Sequence, residues 1–211
     1  FTVSPMPLKT LKALWPRALG KGARDWIGKN VSAVDFKGGT LHFTSNKALL
    51  GEGDSAVPGT ERVTATFEAE NAVFQPLPGM QTIEAPRALI QLENNALEIN
   101  VPDAAVILSG DRRVPVKNGR LYTADVLVPR PDAEVSLTTH SDLGPFLEAV
   151  EKLPVRVVRE ASPLPRAGEG KVDAQLMIKL PLIPNVTGDD FAITGKARIS
   201  DGRFGKVAGR F

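Results

Sequence analysis

No cysteine occurs anywhere in the 211 residues. That excludes disulfides, thiolate zinc sites and cysteine nucleophiles, and it fits a reducing or an oxidising compartment equally. Histidine is almost as scarce. His42 and His140 are the only two, and neither belongs to an H-x-x-H or H-E-x-x-H array that would hold a metal. No apolar run approaches the roughly 18 residues of a membrane span. No charged-then-apolar leader opens the chain. A G-x-S-x-G elbow is missing too. His140, Ser141 and Asp142 cannot form a triad, because neighbours on a strand point to opposite sides; Ser141 and Asp142 read instead as helix caps. Gly51-Glu52-Gly53-Asp54 lacks a strand-to-helix context, and Gly20-Lys21-Gly22 lies in a helical pattern without P-loop spacing. The expectation is a protein that is not an enzyme, with no cofactor and no metal.

Charge is present but nearly balanced, with 26 Lys and Arg against 24 Asp and Glu. Its distribution is uneven. Residues 1–50 hold eight basic residues, from Lys9 to Lys47, against only Asp25 and Asp35. Such a start reads as a solvated helix face, or as a contact with a membrane surface through residues 8–30. Nucleic acid is not expected, because only Trp15 and Trp26 interleave with the basic residues.

Apolar residues at three- and four-residue steps, among them Leu8, Leu11, Leu19, Trp26 and Ile27, predict helix over 8–30. Pro16 should kink it, and the second part should end near Asn30. Beyond Ser32 the period becomes two. Residues 33–37 and 40–44 around Gly38-Gly39 read as a hairpin. Residues 47–60 are irregular, and 63–69 alternate as a half-buried strand. Further strands are expected at 82–92, 95–101, 104–109, 112–116, 119–128 and 132–139, with turns at Pro102-Asp103, Gly110-Asp111 and Asn118-Gly119. A single helix, 142–152, follows the Ser141 cap. After a Pro-rich loop at 154–167, strands are expected at 170–181, 189–199 and 203–211.

This divides the chain into an N-terminal helical cap (1–31), an antiparallel sheet segment (32–140), a short helix with a Pro-rich loop (141–167), and a continuation of the sheet (168–211). Phe1 is not an initiator Met, and Gly209-Arg210-Phe211 stops inside a strand-like pattern, so the sequence reads as a piece of a longer protein. An alternating strand has an apolar face that must be covered. Two helical regions are too little to cover so many strands. Either the sheet closes into a β-sandwich, or it stays an extended, twisted antiparallel sheet curled around an open groove. The faces available to line such a groove are Val63, Ala65 and Phe67; Tyr122, Ala124, Val126 and Val128; and Val172, Ala174, Leu176, Ile178 and Leu180. None carries a charge.

The stretch from Asp142 to Pro154, then a Pro-rich spacer, then Gly168 to Leu182 and the I-T-G-x-A-x-I-x-D-G run from Ile193 to Gly202, resembles the AsmA-like (YhdP-type) envelope proteins of Gram-negative bacteria. So do Leu14-Trp15-Pro16 with Lys21, Arg24, Trp26 and Ile27 just before the first long strand, and Pro76-Leu77-Pro78-Gly79 in the middle. The resemblance implies a mainly β, bridge-like lipid-transfer protein. Such a protein would be anchored in the inner membrane by a part outside this fragment and would lie in the periplasm. It would serve lipid transport and outer membrane biogenesis by carrying phospholipid along an apolar β-groove. Its partners would be phospholipid acyl chains and neighbouring β segments of the same parent chain. The alternative is a non-catalytic structural or interaction module in cell-envelope assembly.

Overall fold

The structure is a computed structural model that describes residues 2–14, 21–44, 62–76, 80–126, 128, 130–153, 168–183, 186–187 and 190–204. Two short strands, β1 (Thr2–Val3) and β2 (Met6–Pro7), lead into helices α1 (Leu8–Leu14) and α2 (Lys21–Asn30). Long strands follow: β3 (Val31–Thr44), β4 (Arg62–Phe74), β5 (Ile83–Glu93), β6 (Ala96–Ile107), β7 (Arg113–Thr123), β8 (Asp132–Asp142), β9 (Gly168–Pro181) and β10 (Ala192–Phe204). Helix α3 (Leu143–Glu151) lies between β8 and β9. The expected kink at Trp15-Pro16 and the irregular stretches 47–60 and 154–167 lie outside the described residues, as do residues 205–211 of the last expected strand.

Each long strand pairs antiparallel with the next, so one ten-stranded sheet runs in the order β1-β3-β4-β5-β6-β7-β8-β9-β10, with β2 also on β3. β10 does not return to pair with β3, so the sheet stays open and curled. Among the described residues no second sheet packs on it, and the closed sandwich does not form. The β5–β6 connection shows why neighbours pair: Asn94 takes φ 56° in the two-residue loop between Glu93 and Ala96, the left-handed turn that matches strand twist.

Three expected turns are not turns. Gly38-Gly39, Pro102-Asp103 and Asn118-Gly119 all lie inside continuous strands, in β3, β6 and β7. Gly38 has φ 116°, Asn71 of β4 has φ 52° and Asn118 has φ 51°. Register shifts occur beside Gly38 and at Asn118. These are bulges: an extra residue switches which face the following side chains point to. Pro86 and Pro102 fall on the same line across the sheet, at ladder positions that make no pair, where a missing N–H costs nothing. The bulge line keeps one face apolar on both its sides although the sequence parity changes.

Helices α1, α2 and α3 lie toward one end of the sheet. Trp26 of α2 donates its Nε1–H to the Pro76 carbonyl at 3.2 Å and sits 6.4 Å from the Phe74 ring. α3 lays Leu143 and Leu147 on Val172 and Ala174, and these four form the buried cluster, with Phe146 at its margin. Ser141 does not cap α3. Its hydroxyl donates to the Asp142 carbonyl, and the Asp142 carboxylate accepts from Lys171.

Candidate functional site

Beyond the bulge line, away from the helices, the apolar face continues with no covering element among the described residues. Register places one large apolar residue per strand in a single row: Phe67 opposite Ile90, Ile90 opposite Ile99, Ile99 opposite Leu121, Leu121 opposite Val135, Val135 opposite Ile178, and Ile178 opposite Ile193. At about 4.8 Å per strand the row extends for roughly 29 Å. Every member is half-buried and none is sealed off. A second row, Ala65, Leu92, Leu97, Thr123, Ala133 and Leu180, lies alongside. Neither row contains a charge.

Glycines shape this surface at two places. A Cβ on Gly39 would stand 2.5 Å from Phe67 Cδ1, and one on Gly195 would stand 2.7 Å from Leu176 Cδ2. Phe67 and Leu176 therefore occupy the space that side chains on the neighbouring strands would need. The buried members beyond the bulge line are small: Ala65, Ala69, Ala133 and Thr123. Thr123 is 1% exposed, and among the described residues its Oγ1 has no hydrogen-bond partner.

The opposite face has different chemistry. Cross-strand ion pairs cover it: Glu84 with Arg113, Asp103 with Lys117, Glu98 with Arg120, Glu134 with Lys179, and Lys37 with Glu70. Arg120 also stacks 4.9 Å over Tyr122. Hydrogen bonds from Arg120 and Asn100 hold the Glu98 carboxyl down at about 2. His140 belongs to this face, with Nδ1 2.5 Å from Asp173 Oδ1. Exposed pairs of this kind add little stability but keep the surface wet.

The expected groove residues divide accordingly. Ala65, Phe67, Val172, Ala174, Leu176, Ile178 and Leu180 share the apolar face. The side chain of Val63 lies outside the described residues. Tyr122 is a correction: it opposes Glu134 on the ion-paired face, because the bulge at Asn118 reverses the alternation. Ala124, Val126 and Val128 are also corrected. β7 ends at Thr123, so they line no strand; Ala124 and Val128 are exposed in the connection, and Val126 is tied by its N–H to the Asn95 carbonyl at 2.9 Å. Leu121 and Thr123 take their place. Ile90, Leu92, Leu97, Ile99, Val135 and Leu137 were missed. The tight loop at Asn94-Asn95 was the available signal, since it fixes Leu92 opposite Leu97 and Ile90 opposite Ile99.

Among the described residues, no three His, Cys, Asp or Glu side chains gather in a way that could hold a metal, and no helix is long and apolar enough to cross a membrane. Comparison with protein-family models, curated proteins and solved structures gave no match.

Proposed function

We propose that this chain is a segment of an AsmA-like, bridge-like lipid-transfer protein of the periplasm, anchored in the inner membrane through another part of its parent. Its open apolar face carries phospholipid acyl chains between the inner and outer membranes. The observation that carries this reading is the uncharged row from Phe67 to Ile193, half-buried on every strand it crosses. A phospholipid leaving a bilayer gives up about 0.8 kcal/mol for each methylene that meets water. Only a continuous apolar strip compensates for that loss along its whole path, and one unpaired charge would interrupt it by several kcal/mol. The headgroup stays in water at the open side, so the site needs no specific polar contact. Exposed Lys9 and Lys29 on α1 and α2 give the helical end a basic margin suited to an anionic membrane surface.

Native mass spectrometry of the purified chain tests the reading. Phospholipid should remain bound in stoichiometric amount and be lost on delipidation. A chain that never carries phospholipid, even after incubation with vesicles, would overturn the conduit and leave a structural module.

A further inference from the structure

α3 follows β8 without a linker, since Asp142 ends the strand and Leu143 opens the helix. The helix rests on the same face as the open rows and contacts β7, β8 and β9. Where the face elsewhere is open, here it is covered by Leu147 and Phe146.

The two ends of α3 are held by different chemistry. At the first turn Leu143 is fully buried, and Gly168 leaves room for it, because a Cβ there would stand 2.7 Å from Leu143 Cδ2. Toward the last turn the attachment is polar. Glu148 accepts a 2.9 Å hydrogen bond from Ser109 Oγ and pairs with Arg112 at 2.5 Å, both in the connection between β6 and β7. Gln81 donates to the Glu148 carbonyl at 3.5 Å. The Ser109 bond, ahead of the charge of Arg112, holds the Glu148 carboxyl below its usual range. The Arg112 side chain is 52% exposed, so this second attachment is wet and weak, while the first is apolar and strong.

We propose that α3 is a lid on the groove at β7–β9, hinged at Leu143 and latched by Glu148 on Ser109 and Arg112, which passing lipid lifts. The proposal rests on the conduit reading. Without lipid, lifting α3 would expose Leu147, Val172 and Ala174 to water, so α3 stays down over β7–β9. An arriving acyl chain takes over the contacts of Leu147 and Phe146, and only the latch then opposes opening.

Hydrogen exchange read by mass spectrometry tests this with and without vesicles of palmitoyl-oleoyl phosphatidylglycerol. In the lipid-free protein, Glu148→Ala should speed exchange in residues 143–151 by about threefold, as expected for loss of an exposed ion pair, with β8 and β9 unchanged. Arg112→Ala should reproduce it. Vesicles should raise exchange in α3 of the unaltered protein, and Glu148→Ala should take up lipid about threefold faster. Exchange in α3 that stays equal to that of β9 in every variant overturns the lid, because the helix then opens only with the whole sheet. Lipid bound with α3 protection unchanged also overturns it and leaves the conduit standing. Faster exchange in the lipid-free Glu148→Ala protein, with no lipid taken up by any variant, overturns the conduit and with it the lid's role.

Discussion

Strand β9 holds both environments of the apolar face within a few residues. Val172 and Ala174 lie under α3 and are 0% and 3% exposed, whereas Leu176 and Ile178, next on the same side of the same strand, keep contact with solvent. Alternation is unbroken between the two pairs, so hydropathy does not separate them. The difference is the cover. Where α3 supplies apolar side chains the sheet buries Val172, and where no described element does, the large apolar side chains stay partly exposed. The face opposite, laced by ion pairs, shows that exposure here is not a general looseness of the sheet.

The largest expected effect sharpens that contrast. Leu143→Ala removes the fully buried side chain that fixes α3 and should cost about 3–5 kcal/mol in denaturant unfolding, while Leu176→Ala on the open half should cost about 1 kcal/mol. Equal costs would mean that the open half is a sealed core. Trp26→Ala at the α2 corner should fall between them, about 2 kcal/mol, because the indole is half-buried and loses the Pro76 and Phe74 contacts. Near-zero loss of melting temperature, with weaker vesicle binding, would instead assign α2 to a membrane surface. Thr123→Val should raise stability by about 1 kcal/mol, since its buried hydroxyl has no described partner. The smallest effect belongs to the ion-paired face. The Glu98 carboxyl is lower in the folded chain than its usual 4.5, so its contribution is fully present above pH 4.5 and is lost as pH falls toward 2. Glu98→Gln should flatten melting temperature against pH in that window and leave the region above it parallel to the unaltered protein.

Much of the sheet was legible in the alternation of residues 63–69 and 170–181 and in the turn residues between strands. The bulges were not. A residue at positive φ serves a hairpin turn or an in-strand bulge equally well, and Gly38-Gly39 and Asn118-Gly119 have the composition of both. What decides between them is non-local: β3 runs on through Gly38 because β4 offers a ladder on both sides of it, and β7 runs on through Asn118 because β6 does the same. The misplacement of Tyr122 follows from reading it in one alternating strand with Ala124, Val126 and Val128, whereas β7 ends at Thr123. The α3 cover over Val172 was equally out of reach, because an amphipathic helix at 142–152 does not state which strands receive its apolar side.

The central claim, that acyl chains use one face of the sheet and not the other, is tested most directly by two neighbours on β9. Leu176 lies on the open apolar face, and exposed Met177 opposes Ser136 on the other. Leu176→Asp and Met177→Asp should both stay folded by melting temperature, the first because its carboxylate can turn toward the open side. Bound phospholipid, measured by native mass spectrometry after vesicle incubation, should be lost in Leu176→Asp and retained in Met177→Asp. Lipid retained by Leu176→Asp, or Leu176→Asp unfolded as a buried charge would leave it, would contradict the account.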